Sequence, residues 1–166
     1  SGVVMAPDGS LVAEARVPSP RDSYPTTLAA LVAVVADLEV RAGLPAGRAT
    51  VGVGTPGAWV AGAAAMKNCN STWLNGRPLL TDLVGLLGAR VRVANDADCF
   101  ALSEAQDGAG SGAGLVFGVI LGTGVGGGLV FGGHLHSGPN GLGGEWGHTP
   151  VPWLRQSVHV RGPVDR

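Results

Sequence analysis

The apolar positions of this chain change period as it proceeds, and each change predicts an element. Residues 3–5 and 11–17 flank Pro7-Asp8-Gly9, which predicts a hairpin, since Asp-Gly between apolar runs favours a turn with positive φ. PSPRD at 18–22 is loop. From Thr26 onward, Leu28, Leu31, Val32, Val35 and Leu38 stand three and four apart, the spacing of one helix face, and Gly43 marks the end. Residues 50–53 read as a short buried strand running into a loop, GTPGAW at 54–59. Pro78 suits the first position of a helix over 79–87 that closes at Gly88. A β-branched run at 91–93 then opens another strand.

Most of the polar chemistry lies between residues 91 and 148. VRVANDAD at 91–98 reads as a strand ending in a carboxylate, followed by an alanine-rich helix over 99–105 that breaks at Gly108. DGAGSGAG at 107–114 reads as a hinge-like boundary. Past it, residues 115–121, 128–131 and 134–136 are consecutive strands joined by tight glycine turns. Strands alternating with helices up to Gly108 predict α/β layers with the sheet covered on both faces. The expected division is an α/β lobe over 1–110 and the start of a second lobe over 111–166.

Composition narrows the classes. Charged residues make up only 14%, about half the usual share, while the 29 glycines are scattered without a three-residue period, which excludes collagen. They predict tight turns and close approaches to something bound. The formal net charge is -1 and the basic residues form no run, so no nucleic-acid partner is expected. No apolar run is long enough to span a bilayer and no basic segment precedes one, so the expectation is a cytoplasmic protein with no membrane partner. Cys69 and Cys99 form no metal pattern and read as reduced core thiols. The chain begins on Ser1-Gly2 directly ahead of a strand pattern and ends in a polar tail over 156–166, ends that read as those of a fragment.

Two G-x-G-x-x-G matches occur, at Gly52, Gly54, Gly57 and at Gly122, Gly124, Gly127. Neither is followed by the helix and closing acid of a dinucleotide site, and no G-K-[ST] ending makes a P-loop. The second can still hold phosphate. Gly122, Thr123, Gly124, Gly126 and Gly127 could turn backbone N–H groups, with one hydroxyl, toward an anion; the alternative is a hairpin whose glycines allow tight curvature.

Asp96 follows a strand and opens a helix, with Asn95 placed to cap it and Asp98 as a weak box partner. Both acids could be capping groups alone. A cap needs only one such group, however, and a carboxylate at a helix N-terminus stays ionised, fit to accept a proton from a sugar hydroxyl. MKNCNSTWLNG at 66–76 is dense in hydrogen-bonding groups and reads either as a ligand-facing loop or as a well-bonded surface loop. Glu145 and His148, three apart among glycines, could share one polyol or lie on the surface. His148 has too few partners nearby for a zinc site.

Together VANDADCFALSEA (93–105), LGTGVGGG (121–128) and GLGGEWGH (141–148) resemble the ROK family of sugar kinases. KNCNSTWLNG (67–76) and EWGHTPVPW (145–153) look closest to the bacterial fructokinase, or mannofructokinase, branch. The resemblance covers about residues 3–153. It implies an actin-like ATPase (ribonuclease H-like) fold in two lobes and transfer of the γ-phosphoryl of ATP, with magnesium, to the 6-hydroxyl of a hexose, fructose above others. It further implies Asp96 as catalytic base. Asn95, Glu145 and His148 would be sugar ligands, with Asn70, Ser71 and Thr72 part of the sugar wall. Gly122, Thr123, Gly124, Gly126 and Gly127 would bind phosphate.

Three departures stand beside the match. The family's first strand, with its Asp-x-Gly-Gly-Thr phosphate loop, has no counterpart here. Neither has the cysteine cluster that holds a structural zinc with the position of His148, nor the adenosine-binding part with a further sugar-binding glutamate. Zinc is therefore expected only in a full-length protein, and the fragment itself is expected to be inactive. N-acetylglucosamine kinase, N-acetylmannosamine kinase and a sugar-responsive transcriptional repressor of the same family are the alternative readings. A homodimer is left open.

Overall fold

The structure, a computed structural model, describes residues 1–122, 124–139 and 141–147. The element order is β1 (Gly2–Met5), β2 (Leu11–Ala15), α1 (Tyr24–Arg41), β3 (Val51–Thr55), β4 (Ala58–Val60), β5 (Ala65–Lys67), α2 (Leu79–Leu87), β6 (Val91–Asn95), α3 (Asp96–Gln106), β7 (Leu115–Leu121), β8 (Val125–Phe131) and β9 (His134–Leu135). The β1–β2 hairpin forms around Gly9, at φ 84°, as its Asp-Gly turn requires. Helix α1 starts where the Ser23 hydroxyl accepts the Thr26 amide and Pro25 occupies the first turn. It ends at Ala42, with Gly43 at φ 66°.

One face of α1 packs Leu28, Leu31 and Val35 on a core of Met66, Leu79, Leu83 and Val91. This is the stripe predicted by the three-and-four spacing. The turn after α1 is pinned by Glu39, buried at the helix end. Its carboxylate accepts the Gly47 and Ala49 amides and pairs with Arg90 at 2.7 Å. The amide of Gly47, ahead of the Arg90 contact, holds the Glu39 carboxyl below its ordinary value.

Strands β3 and β6 pair in parallel from Val51↔Val91 to Thr55↔Asn95, so both carboxyl ends reach the same edge. Ligands of α/β sheets gather at such edges. Beyond β3 the structure departs from expectation. Gly54 and Thr55 extend the strand, and the presumed loop folds back as an antiparallel hairpin, β4 on β5, with Trp59 opposite Met66. Alanine and glycine through residues 61–65 carry neither alternation nor strand propensity, so this hairpin is made by burial of Met66.

Strands β7, β8 and β9 form a separate antiparallel sheet. Residues 125–127, read as part of a turn, belong to β8 and pair with 119–121. Helix α3 lies on this sheet through Ala97 and Ala101, both buried. The approach needs glycine beneath it. A Cβ on Gly118 would lie 2.7 Å from Ala101 Cβ, and one on Gly128 would lie 2.7 Å from the Ala97 carbonyl oxygen. The helix whose first residue is Asp96 thus bridges the parallel pair and the antiparallel sheet. Of the two cysteines expected in the core, Cys69 is buried but Cys99 is exposed, because α3 turns its alanine face, not Cys99, to the sheet. Among the described residues no helix is long and apolar enough to cross a membrane.

Candidate active site

At the carboxyl end of β6 the chain passes directly from strand to helix. Asn95 has extended backbone, φ -63° and ψ 148°, and its side-chain Oδ1 accepts the Ala97 amide at 2.8 Å and the Asp98 amide at 3.3 Å. Asp96 is exposed at the first helical position, and its Oδ1 accepts the same Ala97 amide at 2.9 Å. Its second oxygen has no protein partner among the described residues. A carboxylate so placed sits at the positive end of the helix, where the negative charge is favoured.

Asp98 turns away from its predicted capping role. It is buried, its Oδ2 accepts the Ser137 hydroxyl at 3.1 Å, and burial raises its carboxyl above the usual range. Thr55 was not anticipated at all. Opposite Asn95 across the parallel pair, it is buried and donates to the carbonyls of Gly57 and Ala94, tying the end of β3 to the end of β6. A buried threonine closing a strand ahead of Pro-Gly is the signal that could have found it.

The segment carrying Asn70, Ser71 and Thr72 is held by its own bonds. Asn75 accepts the Cys69 amide at 2.9 Å and donates to the Cys69 carbonyl, and the Trp73 indole donates to Thr27 at 3.0 Å. It is seated against Gly57, where a Cβ would lie 2.5 Å from the Lys67 carbonyl oxygen. Asn70 and Thr72 are exposed. Ser71, with Trp73, Leu31, Val53 and Thr55, lines a cavity of about 200 Å³ beside α1. Neither Asp96 nor Glu145 lines that cavity, so it is not where the acid chemistry sits.

The glycine-rich loop over 141–147 runs along β8. Glycine is required at Gly144, φ 88°, where a Cβ would lie 2.9 Å from the Gly127 carbonyl oxygen. The Trp146 indole donates to the Gly126 carbonyl at 3.3 Å and its ring meets Phe117 edge-on. Glu145, half-buried, lies next to this anchor. On the other side of Gly126 is α3, where Ala97 Cβ would stand 3.5 Å from a Cβ there. Gly126 is therefore flanked by the neighbours of Asp96 and of Glu145.

Of the glycine ladder, Gly122 and Gly124 form the open turn, with the Gly122 amide donating to the Gly124 carbonyl at 2.9 Å. Gly126 and Gly127 are inside β8. Thr123 and His148 lie outside the described residues, and with them the expected hydroxyl donor and zinc ligand. Among the described residues, no three or more His, Cys, Asp or Glu side chains are placed together to hold a metal ion.

Comparison with known proteins supplies the context for this geometry. The family model for the ROK family matches residues 1–162. N-acetyl-D-glucosamine kinase of Pectobacterium atrosepticum is 41% identical over 137 residues, 82% of this chain and 44% of its own length. The enzyme of the same name from Shigella boydii is 45% identical over 139 residues, 84% of this chain and 45% of its own. A ROK family glucokinase from Streptomyces griseus, solved with glucose and AMPPNP, superposes with a TM-score of 0.75 at 30% identity, covering 90% of this chain and 46% of that one. The chain spans about half the length of the curated relatives it matches.

These matches bear out the α/β fold of the actin-like, two-lobed type and correct the expected branch. The relatives are kinases of N-acetylglucosamine and glucose, not fructokinases. The fructokinase reading rested on KNCNSTWLNG and EWGHTPVPW. The first owes its polar residues largely to scaffold bonds, Asn75 to Cys69 and Trp73 to Thr27, which any sugar specificity can share. Much of the second lies outside the described residues.

Proposed function

Because the chain belongs to the ROK family, we propose that the whole protein transfers the γ-phosphoryl group of ATP to the 6-hydroxyl of N-acetylglucosamine, with glucose the second acceptor. The observation that carries this reading is Asp96, an exposed carboxylate at the end of a parallel strand and the start of α3, with one oxygen on the Ala97 amide and the other without a protein partner among the described residues. Asp96 takes the proton of the sugar hydroxyl as its oxygen bonds to the γ-phosphorus and ADP departs. Such a base contributes about 10²–10⁴ in rate, and the rest comes from positioning and electrostatics. Asn95 and Glu145 orient the sugar, with the Asn70, Ser71 and Thr72 segment as part of its wall and His148 as a further ligand. Gly122, Thr123, Gly124, Gly126 and Gly127 take the phosphates. Bound magnesium would neutralise phosphate charge, and no described residue is assigned to it. The boundary between the lobes is placed in the turns over 107–114.

The names of the relatives support the acceptor, since N-acetyl-D-glucosamine kinases reach 45% identity over this region. The test is an ADP-release assay on the whole protein with N-acetylglucosamine, glucose, N-acetylmannosamine and fructose. The highest kcat/KM is expected on N-acetylglucosamine. Release of ADP with none of these sugars, or preference for another by more than about tenfold (1.4 kcal/mol), would overturn the assignment.

A further inference from the structure

Asp98 and Ser137 connect two elements that the reaction uses separately. Asp98 stands on the first turn of α3, two residues after Asp96, and is 6% exposed. Ser137 precedes the glycine loop and makes two bonds in opposite directions. Its hydroxyl donates to Asp98 Oδ2 at 3.1 Å, while its carbonyl accepts the Gly143 amide at 2.7 Å. Two residues on is Glu145, whose amide donates to the Leu142 carbonyl at 3.1 Å. Gly143 permits this closure, since a Cβ there would overlap the His136 carbonyl oxygen. A continuous path therefore runs from the helix of the base, through Ser137, to the loop of the sugar-binding carboxylate.

We propose that Asp98 is a positioning residue, which holds the loop over 141–147 through Ser137 and so sets Glu145 against the sugar in register with Asp96. The inference rests on the proposed kinase reaction for its effect on the sugar, but not for its effect on the loop. Geometry favours it over a purely structural role. A carboxylate capping its own helix would face the helix amides, whereas this one faces a residue 39 positions away.

The test uses the whole protein with Ser137→Ala, Asp98→Ala, the double variant and Asp98→Asn. Amide exchange is read at Gly143 and Glu145, and KM is read for N-acetylglucosamine and for ATP. A bond to a charged group implies roughly a tenfold or larger rise in loop exchange and in sugar KM for either single alanine variant, with ATP KM held within about twofold. The double variant should add nothing further, because the two residues act as one unit. Asp98→Asn, which keeps an acceptor for the hydroxyl, should restore both readouts. Ser137→Ala removes one hydroxyl and leaves the fold intact, so it decides even if Asp98→Ala does not fold. Unchanged loop exchange in Ser137→Ala overturns the inference, as does faster exchange with unchanged sugar KM. A wild-type protein that phosphorylates no sugar overturns the proposed reaction instead, and the exchange comparison still decides whether Asp98 holds the loop.

Discussion

Replacing Gly128 by alanine should cost far more than the same change two residues earlier at Gly126. Both lie in β8 beneath α3, and neither has positive φ, so backbone strain does not separate them. Space does. A Cβ on Gly126 would rest 3.5 Å from Ala97 Cβ, an ordinary contact. A Cβ on Gly128 would lie 2.7 Å from the Ala97 carbonyl oxygen, 2.8 Å from Ala101 Cβ and 3.0 Å from Asp98 Cα. To reach ordinary contact the helix must withdraw by about 0.7 Å, an overpacking that costs about 1–3 kcal/mol. Gly126→Ala should instead be neutral, or stabilise by about 0.4–1 kcal/mol through the unfolded chain. Urea denaturation of the two variants beside wild type measures the difference. Because Asp96 rides on the displaced helix, kcat of the whole protein with Gly128→Ala should fall by about tenfold to a hundredfold. Equal urea midpoints for the two variants would refute the reasoning that α3 rests on glycine backbone.

Three further outcomes are expected. In the whole protein, Asp96→Asn should lower kcat by about 10²–10⁴ while sugar affinity stays within about tenfold, and retention of half the wild-type kcat would reduce Asp96 to a cap. Glu145→Ala should weaken sugar binding by roughly ten- to a hundredfold in calorimetric titration, with affinity for a non-hydrolysable ATP analogue far less changed. Glu39 has its carboxyl below the ordinary value of 4.5, so its stabilisation is complete above that value and is lost as pH falls through the lower folded one. The stability gap between wild type and Glu39→Gln should therefore shrink as pH falls below 4.5, and a gap independent of pH would contradict the Gly47 and Arg90 contacts.

Which parts were legible in the sequence follows from how local each cause is. Asn95 and Asp96 could be read as cap and first helical residue because the cap bonds span three residues. Helix α1 was legible from its stripe, and the first hairpin from Asp8-Gly9. The β4–β5 hairpin was not, because alanines and glycines carry no period and Met66 is buried by elements far away. The glycines of β8 read as a turn for a related reason. A strand lacking side chains shows no alternation, and its identity comes from pairing with β7 and from the helix lying on it. Asp98 looked like a box partner, since nothing near it in sequence names Ser137. The sugar was misread because loop residues with scaffold bonds were taken as specificity residues.

The cap at Asn95 also fixes a direction of hydrogen bonding. With Oδ1 engaged by two amides, the side-chain amide cannot rotate end over end without losing both bonds, so its NH₂ is what remains for a ligand. Asn95 can only give hydrogen bonds to whatever arrives, and the Asp96 carboxylate beside it can only receive them. Neighbouring positions thus present opposite polarity, as a key with two unlike teeth. A pair of hydroxyls on one sugar can satisfy both at once, one oxygen accepting and the other donating. An ether pair cannot donate to Asp96, and an ammonium cannot accept from Asn95. The asymmetry is set by the helix cap itself, before any ligand is bound.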